Sequence, residues 1–153
     1  MKLMNNHFFK FLLNMYPPYW ATGIVIKKVS PDFREVMVQM KKRFYNRNYV
    51  NAHFGGSLYA MVDPFYMLML IQILGEKYIV WDKSATIDFV KPGKGVVTAR
   101  FVIADELVNE IVEKTESGAK YLPVIPVHVV DEMGDVVCRV EKTIYVRKKS
   151  SHS

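Results

Sequence analysis

Cysteine is nearly missing from this 153-residue chain. The single thiol, Cys138, excludes an intrachain disulfide and any cysteine-cluster metal site, and no metal is expected. Internal repeats, low-complexity stretches and linkers are missing too, so residues 1–153 read as one domain, long enough to hold a core without staples. No secretory leader is expected. The apolar stretch within Met1–Met15 is short, Lys10 and Asn14 interrupt it, and no small-residue cleavage site follows. A lone cysteine suits a reducing compartment, and the expected location is cytoplasmic. Basic clusters occur at Lys41, Lys42, Arg43 and Arg47, and Arg147 leads into a basic tail over residues 148–153. No nucleic-acid motif accompanies them, so the net charge of +6 reads as solvated charge that attracts anions, with no nucleic-acid partner.

Periodicity supplies the elements. Phe8, Phe11, Leu12 and Met15 fall at i, i+3, i+4 and i+7, which predicts a docked amphipathic helix within residues 1–18, ended by Pro17 and Pro18. Gly23–Val29 and Arg34–Phe44 read as strands about a Ser30–Pro31–Asp32 turn, the second alternating apolar and polar residues. Ile79–Val90 and Val96–Ala104 read as strands about the tight turn Pro92–Gly95. A short helix follows from Asp105 to Gly118, then strands Tyr121–Val130 and Val136–Arg147. In the last strand Val136, Cys138, Val140, Ile144 and Val146 share a face. Hairpin turns imply a largely antiparallel sheet, and the fold class is α+β.

The segment from Gly55 to Gly75 is apolar on every side, as a helix deep in a core or in a membrane would be. Its run Leu58–Leu74 falls short of the roughly 20 residues a span needs, and it holds Asp63, Pro64 and Gln72. It is therefore expected to be a central core helix and no membrane span. Asp63, the one charge there, is costly unless satisfied or used. Asp63–Pro64 also reads as an N-cap followed by proline at the first helical position, with the helix starting later.

The stretch His53–Phe54–Gly55–Gly56–Ser57–Leu58–Tyr59–Ala60–Met61–Val62–Asp63 resembles the start of the central helix in hotdog-fold proteins, above all acyl-CoA thioesterases of the phenylacetate-pathway type. Ile87–Asp88–Phe89–Val90–Lys91–Pro92–Gly93–Lys94–Gly95 resembles the strand and turn that follow it. The resemblance implies a curved antiparallel sheet of about six strands wrapped around a long central helix. It implies thioester hydrolysis at a dimer-interface site, with acyl-CoA as substrate and no cofactor beyond its coenzyme A. Asp63 is then general base or nucleophile, and the amide of Gly56, with Ser57, is the oxyanion hole. Seven residues of helix span about 10 Å, so Gly56 and Asp63 of one chain cannot act on one carbonyl. Hotdog dimers solve this by facing one subunit's carboxylate with the other's helix start, so a homodimer or dimer of dimers is expected. His53 lies one residue before the position at which the thioesterases carry histidine. Asn48 and Asn51 stand where an amide would orient water or thioester. Gly55, Phe54, Tyr59 and Met67, with Met61 and Met69, are candidates for the acyl site, and Lys91, Lys94 and Arg100 for coenzyme A phosphates. The alternatives are a non-catalytic hotdog module binding acyl chains or acyl-CoA, and a hotdog dehydratase or hydratase using His53 with Asp63.

Overall fold

A computed structural model describes residues 4–150. The first three residues of the predicted N-terminal segment and Ser151–Ser153 of the basic tail lie outside the described residues. The element order is α1 (Asn6–Met15), α2 (Pro17–Thr22), β1 (Ile24–Val29), β2 (Glu35–Lys41), α3 (Gly55–Ala60), α4 (Phe65–Leu74), β3 (Tyr78–Phe89), β4 (Val96–Val102), α5 (Asp105–Thr115), β5 (Lys120–Tyr121), β6 (Val124–Val130) and β7 (Val136–Lys148). Seven strands form one antiparallel sheet in the order β1-β2-β4-β6-β7-β3, with the two-residue β5 beside β7.

Strand alternation builds the core. Val36, Val38 and Met40 of β2 and Val97, Ala99 and Phe101 of β4 point inward and are fully buried. They meet Leu58, Met61, Val62, Phe65, Met69 and Leu70 of the central helical segment, and Phe65 packs on Phe101 with ring centroids 4.9 Å apart. By length and composition Gly55–Leu74 is apolar enough to cross a membrane, yet here its apolar side chains are a principal part of the core the sheet covers. The segment is broken at Met61–Pro64. Proline has no N–H to offer the Ala60 carbonyl and its ring crowds the preceding turn, so α3 ends and α4 begins afresh at Phe65.

Two expectations are corrected. β3 and β4 form no hairpin: β3 lies at the sheet's end beside β7, and β4 lies between β2 and β6. After Phe89 the chain keeps bonding β7, through the Val90 and Lys91 amides to the Val137 carbonyl. It then crosses to β2, where the Lys42 amide donates to the Gly95 carbonyl. Gly95 makes that turn with φ +66°.

The second correction concerns α1. Phe8, Phe11, Leu12 and Met15 do not dock; they face outward. The helix sits on β1 by another stripe, Asn6, Lys10 and Asn14, at i, i+4 and i+8. The Asn6 Nδ2 donates to the Val29 carbonyl (2.9 Å) and the Lys10 Nζ to the Lys27 carbonyl (2.8 Å). Asn14 both donates to the Ile26 carbonyl (3.1 Å) and accepts from its amide (2.8 Å). These side chains close the open edge of β1, which would otherwise offer a row of unpaired backbone groups. Phe9 supplies the apolar anchor against Phe33, ring centroids 5.3 Å apart. Pro17 and Pro18 stop α1 and also open α2 at its first positions. Among the described residues the opposite edge, along the outer side of β3, carries no strand or helix of this kind: there β3 pairs only with β7.

Candidate functional site

Lys142 is the residue around which the site is built. Along β7 the positions Cys138, Val140, Lys142, Ile144 and Val146 all point into the core, and Lys142 is 1% exposed. A buried ammonium costs several kcal/mol unless it is paired. Two carboxylates pair with it: Asp63 Oδ1 at 2.8 Å and Asp82 Oδ1 at 3.0 Å. The Asp63 contact is a true hydrogen bond, whereas the approach to Asp82 has ion-pair distance without hydrogen-bonding angle. Burial alone would lower the Lys142 pKa; the hydrogen bond to Asp63 and the charges of Asp63 and Asp82 outweigh it and raise it. Burial raises that of Asp82, against the pull of Lys142.

Asp63 is held at the break between α3 and α4. Tyr59, one helical turn earlier, donates its hydroxyl to the same Oδ1 at 2.8 Å. Oδ1 thus accepts from both Tyr59 and Lys142, while Oδ2 has no partner among the described residues. The Asp63 side chain is 45% exposed, so that second oxygen is within reach of solvent or a ligand. The capping alternative fails on geometry, because the carboxylate bonds Tyr59 and Lys142 and makes no bond to the start of α4.

The Gly55–Gly56 pair opens α3 directly after Phe54. Ser57 donates its amide to the Phe54 carbonyl at 3.0 Å, so that amide is not free to serve as an oxyanion donor. The Gly55 and Gly56 amides have no partner among the described residues. Gly55 lies against Phe89 at the far end of β3, and a Cβ there would meet that ring at 3.1 Å. The Phe54 ring lies over Gly56, where a Cβ would meet it at 2.5 Å. A hollow of about 360 Å³ beside this helix start is lined by His53, Gly55, Leu58, Phe89 and Pro92.

His53 is a buried structural residue within this chain. Its amide donates to the Gly93 carbonyl (2.9 Å) and its Nε2 lies 3.0 Å from the Gly95 carbonyl, so Nε2 carries the proton. Burial lowers its pKa below the ordinary 6.5. Nothing in one chain brings His53 and Asp63 together: the first is tied to the crossover turn, the second to Tyr59 and β7. Asn48 shapes its own loop, its Oδ1 accepting from the Val50 (3.1 Å) and Ala52 (3.0 Å) amides. Asn51, at φ 58°, accepts from Lys42. Lys91 is engaged by Asp131 and Asp135, at 2.7 and 2.8 Å, and Arg100 by Glu35 at 2.9 Å, whereas Lys94 is exposed. Met67 lies half-buried on α4, while Met61 and Met69 are core.

Lys142 was not singled out from the sequence, and Asp82 stood out only within the block Trp81–Asp82–Lys83, with no role assigned. The available signal was a lysine falling in the inward register of an alternating strand, two residues from Val140 and two from Ile144. A charge at such a position predicts a buried partner.

This architecture is the hotdog fold, a curved antiparallel sheet around a long helix. Solved structures of that kind superpose on nearly the whole chain. A probable thioesterase of unknown function from Pseudomonas aeruginosa, PA5026, has a TM-score of 0.83 at 16% identity, over 95% of this chain and 97% of its own. The thioesterase HI1161 from Haemophilus influenzae has a TM-score of 0.69 at 16% identity, over 99% of this chain and 97% of its own. A putative thioesterase from Shewanella oneidensis gives 0.68 at 16% identity, over 94% and 96%. At these identities the likeness shows the fold. By sequence, residues 5–146 match a family described as a domain of unknown function, DUF4442, and the chain belongs to that family. No curated protein matches it.

Proposed function

We propose that this chain is a thioester hydrolase of the acyl-CoA thioesterase kind, acting without metal or bound redox cofactor at a site shared between two copies. The observation that carries the reading is Asp63: one carboxylate oxygen pinned by Lys142 and Tyr59, the other unpartnered and accessible, at a break in the central helix.

The open edge of β3 supplies the second half. Strand β1 is sealed by α1 and β3 is not, so β3 is the edge left for a second copy. Isologous antiparallel pairing of β3 sets each end of the strand beside the other end of its mate. The Asp82 end carries Asp63 through Lys142, and the Phe89 end carries Gly55. The pairing brings the carboxylate of one copy toward the Gly55–Gly56 amides of the other. A thioester carbonyl between them is attacked by water, whose proton passes to Asp63 Oδ2. The carbon–oxygen bond forms, the oxyanion is held by the two glycine amides, and the carbon–sulfur bond breaks with proton return to the thiolate. Solved hotdog proteins named as thioesterases support a thioesterase reading by fold.

One observation favours the non-catalytic rival, an acyl- or acyl-CoA-binding module: Asp63 already has a structural occupation as the partner of a buried lysine. The dehydratase alternative draws no support, since one chain does not face His53 and Asp63 together.

The test is a panel of acyl-CoA esters with thiol release monitored on wild type and Asp63→Asn. Hydrolysis by the wild type, falling about a hundredfold or more in the variant, is expected. Full activity in Asp63→Asn removes Asp63 from the chemistry. Retention of acyl-CoA without turnover by the wild type selects the binding module. A monodisperse monomer during turnover sinks the shared site.

A further inference from the structure

We propose that the outward face of α1, continued by Trp20, is a docking surface for an anionic lipid membrane. A surface helix ordinarily buries its apolar stripe and shows its polar one. Here the order is reversed. The polar stripe Asn6–Lys10–Asn14 is consumed in closing β1, and Phe8, Phe11, Leu12 and Met15 are left outside, with Leu12 41% and Trp20 74% exposed. Large aromatic and aliphatic side chains gathered on α1 and the short helix after it mark a surface with a partner.

Charge says which partner. The first 31 residues contain four lysines and not one Asp or Glu. A hollow of about 460 Å³ opens between Trp20 and the outer face of β1 and β2, lined by Lys27, Lys41 and Arg43, with no carboxylate among its lining residues. An apolar helix face with Lys27, Lys41 and Arg43 beside it is complementary to an anionic headgroup layer: rings and thioether enter the acyl boundary, and the ammonium and guanidinium groups meet phosphates. Tryptophan at the junction between the two zones has an indole body for the boundary and an N–H for the headgroups. The surface also survives pairing through β3, because β1 and β3 are the two ends of the sheet order.

The test is sedimentation of the full chain with phosphatidylcholine vesicles, alone or with about one third phosphatidylserine. The wild type is expected to sediment with the anionic vesicles, not the neutral ones, and to be released as salt rises to about 0.5 M. Phe11→Glu/Met15→Glu, two exposed sites whose change leaves the melting temperature in place, is expected to lower the bound fraction about tenfold or more. Lys27→Gln/Lys41→Gln leaves the apolar face intact and is expected to weaken anionic binding about fivefold per lysine. Equal sedimentation with both vesicle types, none with either, or wild-type binding by Phe11→Glu/Met15→Glu overturns the proposal. So does a wild-type assembly that this variant dissociates while vesicle binding is absent, which assigns the face to a second copy.

Discussion

Asn14→Leu tests whether the edge of β1 is held shut by side chains. The substitution keeps the branching of the side chain and removes both bonds to Ile26, the 2.8 Å acceptance and the 3.1 Å donation. Ile26 is fully buried as a side chain, and its amide and carbonyl face the α1 edge. Each buried backbone group left without a partner costs about 1–3 kcal/mol. Both bonds are only part-buried, so water recovers some of that loss, and Asn6, Lys10 and Phe9 still hold the helix. The expected destabilisation is about 2–3 kcal/mol. For a chain of this size that is a fall in melting temperature of about 5–10 °C. Urea unfolding should show a lower midpoint at unchanged slope, and the Ile26 amide should exchange its hydrogen faster than the amides of β4. If the midpoint moves by less than about 0.5 kcal/mol in equivalent stability while Ile26 stays protected, the edge is closed by something other than Asn14.

Lys142→Met should destabilise by about 2–4 kcal/mol, less than a fully buried pair because Asp63 is half exposed; adding Asp82→Asn should recover part of it, as read by thermal melts. The raised Lys142 pKa gives stability that is present below its ordinary value of 10.5 and lost as pH climbs through the folded value, so wild type should lose stability in alkali more steeply than Lys142→Met. The lowered His53 pKa works the other way: its contribution is present above 6.5 and lost as pH falls through the folded value, and His53→Gln should remove that component from an acid-side stability profile. Gly56→Ala should fail to give the helix gain of about 1 kcal/mol expected of alanine, because its Cβ meets the Phe54 ring at 2.5 Å. In a Phe54→Ala background the same change should become stabilising, and a double-mutant cycle that shows no coupling refutes the contact.

The strands of this protein were legible because alternation is a local property. Val36, Val38 and Met40 announce an inward face without reference to anything else in the chain. The apolar stretch after Gly55 was legible as a core segment for the same reason, and Asp63 stood out as its one charge. The break at Pro64 was visible as a possibility, but its consequence was not: Asp63 turns to Tyr59 and Lys142 rather than to the next helix. The role of Asp82 lay unread because its partner is 60 positions away in the chain, at Lys142. The turn at Pro92–Gly95 carried hairpin residues, yet the strands it joins are not neighbours, since local turn chemistry does not say which edge a strand will find.

The sequence by itself determined which residues alternate, where the chain turns, which segment is too apolar to be outside and which carboxylate is out of place there. Those follow from the period of a strand or helix and from the cost of burying charge. The tertiary structure decided the rest: that Lys142 and Asp82 join Asp63, that α1 spends its polar stripe on β1 and exposes its apolar one, and that β3 keeps an open edge. Each of these is a pairing between distant segments, fixed by which surfaces remain unsatisfied once the sheet has formed.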